Sequence, residues 1–258
     1  MKEILVALGR AFRSLWRRDI FWHLLWPGIV ALVLWVTVAV LQWDPMVAAL
    51  LSVIHGLPVV GEWLTTGEVV AAIVLVMLKI GLALVFVPLI YVTAAILVAV
   101  VALPIMLERV GRRDYADLEL RRGGSNAGSA WNAVVATLLF VLALVVSLPF
   151  WLIPGVGLIV SVLLTGWLNQ RAFGYDALML HADADELRRL RADQRVSMLA
   201  LGGACALLAY VPVLNLIAPA YSGLAFVHFL LESLRRERTR NGVTILDASP
   251  KPLPRTNA

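Results

Sequence analysis

The apolar run from Met198 to Leu231 is interrupted at its middle by "YVPVLNLIAP", Tyr210 to Pro219, which sets two prolines and an asparagine where a plain membrane helix would carry Leu or Val. A second run is broken in the same manner by "PFWLIPG", Pro149 to Gly155. The apolar arms beside these breaks, Val134–Leu148 and Gly155–Leu168 for the first, Met198–Tyr210 and Ala220–Leu231 for the second, hold about 12 to 15 residues each. As helix that is roughly 18 to 22 Å, short of the ~20 residues that cross a ~30 Å hydrocarbon layer. The expectation is two hairpins that enter from one face and turn inside the membrane; the alternative is four thin full spans with tight outer loops. Broken backbone at that depth leaves N–H and C=O groups that hydrocarbon cannot satisfy, so such turns must be covered by protein or line a wet cavity. The shared layout of the hairpins also suggests internal duplication.

The rest of the chain agrees with a membrane setting. Of 258 residues, 61% are hydrophobic and 15% charged, against roughly half and a quarter in soluble domains. No polar stretch is long enough for a separate core, so residues 1–240 read as one membrane domain, followed by a polar, proline-bearing tail (241–258) expected to be disordered. Residues 1–18 read as an amphipathic interfacial helix, with Ile4, Leu5, Leu8, Phe12, Leu15 and Trp16 at helical spacing among arginines, and not as a signal peptide. Ile20 to Trp43 is the first expected span, anchored by Trp22, Trp26 and Trp43 and kinked at Pro27. Asp44 to Glu68 contains no Lys or Arg, whereas the other connections are rich in arginine. The positive-inside rule therefore puts that loop outside and both termini in the cytoplasm. Thr65 to Glu68 reads as a capping box. A long second span follows through Leu107, about 39 residues or roughly 58 Å, bent at Pro88 or Pro104.

Three charges stand out. Arg17 and Arg18 precede the first span, where they suit an anion or serve as topology determinants touching lipid phosphate; Asp19 would compete for them. Lys79 lies ~16 Å into the second span, where an ammonium faces a partner, a cavity or an ion path. Pro154, Gly155, Pro212, Asn215 and Pro219 are the turn or pore-lining candidates, with Asn215 expected to bridge exposed carbonyls. "RRGG", Arg121 to Gly124, could form an amide nest for phosphate or sulfate, although a flexible basic loop facing anionic lipid is the simpler reading. Asp183 and Glu186 look like the cap of a basic helix through Arg195. The four histidines are scattered and Cys205 is the single cysteine, so neither a metal site nor a disulfide is expected, and no cofactor. No nucleophile–base pair or nucleotide loop appears, which argues against an enzyme. The pI of 9.8 is accounted for by arginine facing anionic lipid at the cytoplasmic face, without nucleic acid.

"LIPGVGLIVSVLLTGWLNQRAFGYD" (Leu152 to Asp176) and "ALGGACALLAYVPVLNLIAPAYSGLAF" (Ala200 to Phe226) resemble the pattern shared by the CysZ sulfate permeases and the related etoposide-induced-protein domain; "LPIMLERV", Leu103 to Val110, is similar to the segment after that family's long second helix. The resemblance implies an all-α integral membrane protein with two long transmembrane helices plus two Pro-broken, partly inserted helical hairpins, assembled as a homo-oligomer. For the permease branch it implies an inner (plasma) membrane anion permease of a bacterium, taking up sulfate for cysteine synthesis. The alternative is a non-conducting membrane-organising or accessory protein with the same fold. Permeases of this kind carry a Gly-x-Arg-Arg element before the first span; here "SLWRRD" keeps Arg17 and Arg18 but lacks the glycine.

Overall fold

The structure, a computed structural model, describes residues 1–56 and 67–242. The expected cap at Thr65 and the tail from residue 243 lie outside the described residues. The elements are α1 (Lys2–Leu15), α2 (Arg18–His55), α3 (Glu68–Leu97), a π-helical turn (Val98–Ala102), α4 (Leu103–Asp114), α5 (Asn126–Ser147), a 3-10 turn (Leu148–Leu152), α6 (Val156–Asp176), α7 (Ala184–Asp193), α8 (Arg195–Leu208) and α9 (Pro212–Arg240). Among the described residues five segments are long and apolar enough to cross a membrane: Arg18–His55, Glu68–Asp114, Asn126–Leu152, Val156–Asp176 and Ile217–Arg240. The chain is an all-α protein of the integral membrane class. It divides into two compact units, Trp22–Ala102 and Met1–Phe21 with the chain from Leu103 on.

Trp22–Ala102 holds the two long apolar helices. α2 does not stop at Trp43 but runs through Asp44 and Pro45 to His55. A proline forfeits one helical hydrogen bond yet keeps a helical φ, so the sequence Asp44-Pro45 marks a weak point and not an end. The two helices pack through Val47, Leu82 and Phe86, with Trp35 and Trp43 against them. Trp35 Nε1 donates to Thr93 Oγ1 at 2.9 Å, which satisfies the one polar atom of a ring that otherwise packs edge-on to Phe86. After α3 the helix widens into its π turn directly before Pro104. Pro104 cannot donate to the carbonyl four residues back, and a widened turn makes room for its ring. The interruption thus falls at Pro104, while Pro88 sits inside α3.

The other unit is built around α9. Residues 222–231 are buried at every position, and 72% of the apolar window in Ile217–Arg240 is enclosed. A helix apolar on all faces needs neighbours on all faces, and α1, α4, α6, α7 and α8 supply them. α1 offers the small side chains Ala7, Ala11 and Ser14, spaced at i, i+4 and i+7, and leaves Leu5, Phe12 and Trp16 exposed. That outward apolar stripe fits the interfacial helix expected from the sequence.

α5 and α6 have 22 and 21 residues, roughly 33 and 32 Å. They are longer than their apolar arms because helix continues into polar turns, Asn126–Asn132 on α5 and Asn169–Asp176 on α6. α8 has 14 residues, about 21 Å. The first hairpin turns at Gly155, whose φ of 81° favours glycine. The second turns at Val211, held extended as a residue before proline prefers, and Pro212 occupies the first turn of α9. The hydroxyls of Ser161 on α6 and Tyr210 beside the second turn hydrogen-bond, which ties α6 to that turn.

Lower down, α6 and α8 meet backbone to backbone. A Cβ on Gly202 would fall 2.4 Å from the Gly166 carbonyl oxygen, and Asn169 Nδ2 donates to the Gly202 carbonyl at 3.3 Å. Gly202 is therefore used for a close helix contact within the chain. Gly202→Val must force the two helices apart, and overpacking of this kind costs about 1–3 kcal/mol or more. Thermal unfolding in mild detergent should show a clear drop in Tm; a Tm equal to the parent's would exclude the close crossing.

Candidate functional site

The arginines ahead of the first span are not alike. Arg17 lies in the turn between α1 and α2, where its carbonyl accepts from the amides of Ile20 and Phe21 at 3.0 and 2.7 Å. Its guanidinium holds Asp19, with Nη2 to Oδ2 at 3.0 Å, and also both oxygens of Asp114 at 3.2 and 3.1 Å. Two carboxylates on one guanidinium leave little of its charge for a third anion. Asp19 competes for Arg17 as its position suggests, and Asp114, brought by the end of α4, adds to it. Arg18 is exposed, one residue on. Lys79 is exposed on α3 in the other unit and makes no ion pair among the described residues.

Pro154 and Gly155 are exposed at the first tip. Pro212 starts α9, and Pro219 lies inside it. The Asn215 amide donates to the Val211 carbonyl at 2.8 Å, closing the first turn of α9; its side chain makes no hydrogen bond among the described residues. The hydroxyl bond between Ser161 and Tyr210 ties α6 to the residues just before the second proline turn.

The "RRGG" segment works differently from an amide nest. The amides of Arg122, Gly123 and Gly124 donate to the carbonyls of Leu180, Ala182 and Met179 at 3.1, 2.8 and 3.1 Å. A Cβ on Gly123 would meet the Asp183 backbone at 2.2 Å, so glycine is required for this close approach. With their donors used, these amides cannot hold a phosphate.

A layer of charge closes the lower end of the α9 unit. Asp183 caps α7 by accepting from the amides of Asp185 and Glu186, and Glu186 returns a bond to the Asp183 amide. The expected capping box is present, although the helix stops at Asp193 and α8 begins at Arg195. Glu186 also takes Arg238 Nε at 3.0 Å and Nη2 at 2.8 Å, and both side chains are nearly inaccessible at 6% and 4%. Burial acts most strongly and raises the Glu186 carboxyl, but the Arg238 bond, the Asp183 amide and the Arg238 charge together outweigh it and hold the group below its ordinary range. Nearby, buried Tyr115 donates to the His228 carbonyl at 3.1 Å, and Ser14 Oγ bonds His228 Nε2 at 2.9 Å. Arg235 lies 4.7 Å over the Tyr115 ring while gripping Asp117. Sequence reasoning missed this layer, because its partners lie about 50 to 220 residues apart. It also missed a cluster of arginines on α6, α7 and α8, whose i, i+4 spacing (Trp167 and Arg171, Arg191 and Arg195) was the available signal.

A family model described as Sulfate transporter CysZ/Etoposide-induced protein 2.4 matches residues 7–219 of the chain. No curated protein and no solved structure gave a significant match.

His181 gives the charged layer a pH dependence. It is buried, its ring lying where a Cβ on Gly111 would be 2.8 Å away. Burial first, then the charges of Arg238 and Arg112, lower its pKa from 6.5 to about 4. Between these values the unfolded chain binds a proton that the folded chain refuses, so stability falls as pH drops through that window. His181→Gln should flatten the dependence of Tm on pH from about 6.5 to about 4. An unchanged slope would remove His181 as its source.

Proposed function

The chain belongs to the sulfate transporter CysZ/etoposide-induced protein 2.4 family, and from that premise we propose that it is an anion permease of a bacterial inner membrane, with sulfate as its ion. The observation that carries this reading is the match over residues 7–219, a span that includes both proline turns and the first-span arginines. Broken helices are where transporter folds place their ion sites, and unwound backbone at depth is tolerated only beside protein or water. Both termini are cytoplasmic in this reading, and the hairpins enter from that face. The first tip exposes Phe150, Trp151, Leu152 and Ile153 around its turn. In a partly inserted hairpin the polar backbone there needs protein cover, which favours a homo-oligomer.

Lys79 is the charged candidate on the second span. It pairs with no carboxylate among the described residues, unlike Arg17, and an ammonium on a membrane helix attracts anions strongly in low dielectric. Asp19 and Asp114 on Arg17, with the missing glycine before it, favour the second reading, a membrane-organising or accessory protein that conducts nothing.

Uptake of labelled sulfate into liposomes carrying the purified protein separates the two. Flux above empty vesicles is the expected result; none would establish the accessory reading. In a conducting parent, Lys79→Met should lower flux about tenfold or more with assembly intact, since Met keeps the stem volume and removes the ammonium. Lys79→Arg should retain part of it, and full flux in the Met variant would remove Lys79 from the path. Cysteines placed at Gly155 and Asn215, with Cys205 replaced by Ser, should resist an impermeant thiol reagent added outside. Rapid labelling at both would mean complete spans in place of hairpins.

A further inference from the structure

Trp167, Gln170 and Arg171 line one side of a cavity of about 290 Å³, and Arg191, Arg195 and Met198 line the other. Helical spacing puts them there. Gln170 and Arg171 stand three and four residues after Trp167 on α6. Arg191, Arg195 and Met198 follow at i, i+4 and i+7 across the junction of α7 and α8, where Gln194 keeps a near-helical φ of −93° and ψ of 10°. The Gly166–Gly202 crossing, one residue from Trp167, fixes α6 against α8 and so fixes the distance between the two sides.

The charge in this cavity is not balanced. None of the three arginines forms an ion pair among the described residues, whereas Arg10, Arg17, Arg121, Arg235 and Arg238 each hold at least one carboxylate. Arg171 Nε is buried without any hydrogen-bond partner, an arrangement that costs more for a charged donor than for a neutral one. Burial, and then the charge of Arg171, lower the pKa of Arg191. Asp176 draws on Arg191 less than Arg171 repels it, and it is engaged as the acceptor of Ser129 Oγ. Asp193, between Arg191 and Arg195 in sequence, lines a different cavity with Glu237 and Arg240. Two rings lie beside the guanidiniums: Arg171 is 5.9 Å from the Trp167 centroid and Arg191 5.7 Å from that of Tyr175. Stacking holds a guanidinium by its face and leaves its N–H edge for an acceptor. The cavity lies where α6 passes from the apolar Leu163 to the polar Asn169–Arg171, the level of a membrane interface, which is also where a tryptophan anchors.

We propose that Arg171, Arg191 and Arg195 form a binding site for a tetrahedral oxyanion, supplied as free sulfate or phosphate or as the phosphate of an anionic phospholipid headgroup. Arg171 and the edge of Arg191 are the inner donors, Arg195 closes the mouth, and Gln170 adds a neutral amide. A divalent oxyanion offers enough acceptor oxygens for three guanidiniums and removes the repulsion between Arg171 and Arg191. This site is separate from Arg17, Arg18 and Lys79, and it stands whether or not the protein conducts.

The test is equilibrium binding to the full chain, purified in mild detergent and stripped of lipid. One arm measures labelled sulfate and phosphate. The other measures phosphatidylglycerol against phosphatidylcholine by native mass spectrometry. Arg195→Gln alters an exposed side chain and leaves the fold alone; Arg171→Met removes the buried donor; Arg188→Gln, on the outward side of α7, is the control for general charge. We expect binding in at least one arm, weakened roughly tenfold or more by Arg195→Gln and by Arg171→Met, and unchanged in Arg188→Gln. Binding of the free ions identifies the source as inorganic, and preference for phosphatidylglycerol alone identifies it as lipid. No binding in either arm, or a loss as large in Arg188→Gln as in Arg195→Gln, overturns the site. Because the readout is binding and not flux, absence of sulfate uptake in liposomes leaves the result intact.

Discussion

The middle of α9 is buried on every face, and that burial decides the arrangement of everything packed on it. Ten consecutive positions, 222–231, admit no solvent, so each neighbour must present a surface that fits closely. α1 does so with alanines and a serine. α4 does so with Leu103 and Leu107, whose methyl groups crowd Gly223 so that a Cβ there would come within 2.7 Å. In a bilayer the apolar effect does not bring helices together, since lipid tails are as apolar as leucine; close packing and polar bonds do. The Gly166–Gly202 crossing is one such contact, and the bonds of Ser14 and Tyr115 to His228 are another.

The lower end of α9 fastens the connections that those helices leave behind. Glu232 receives Arg10 of α1 at 2.8 Å, Arg235 grips Asp117, and Arg238 holds Glu186 together with the carbonyls of His181 and Glu119. A buried ion pair pays desolvation on both charges and gains mainly when its remaining donors and acceptors are also bonded. The Arg238–Glu186 pair meets that condition, since Glu186 also accepts from Arg121 at 3.1 Å and from the Asp183 amide at 2.9 Å. Losing one member would strand the other, at about 3–5 kcal/mol. The same carboxylate therefore caps α7 and ties α7 to α9, which makes the local signal Asp183-x-x-Glu186 a tertiary contact as well.

Signals carried by neighbouring residues were legible in the sequence, and signals carried by distant ones were not. The apolar runs, the proline turns at Gly155 and Pro212, the α1 amphipathic pattern and the Asp183–Glu186 box all depend on spacings of a few residues, and each appears where expected. The end of the first span was misplaced because Asp44-Pro45 lowers helix propensity without forbidding helix, and α2 runs on to His55. "RRGG" looked like a nest because its amides were assumed free; the carbonyls that occupy them come from 179–182, more than fifty residues on. The Gly166–Gly202 approach likewise joins residues 36 apart, and nothing near either glycine announces it.

For the basic residues, number mattered less than whether a carboxylate was already in place. Arg17 is one of the two arginines that the sequence offered for an anion, and the fold hands it Asp19 and Asp114, which turns it into a fastener between the α1–α2 turn and the end of α4. Arg171 and Arg191 looked ordinary on a basic helix and its neighbour, yet folding half-buries them near each other, without an ion pair among the described residues and with one N–H unbonded. Positive charge that only fixes topology needs water or lipid phosphate, and exposed Arg18 and Arg188 have access to both. Charge held in a cavity by two aromatic rings and a rigid glycine crossing gives up that solvation, and the loss is offset only if an anion enters. The distinction between a fastening arginine and a binding arginine is therefore set by acid placement, which belongs to the tertiary fold and to no single helix.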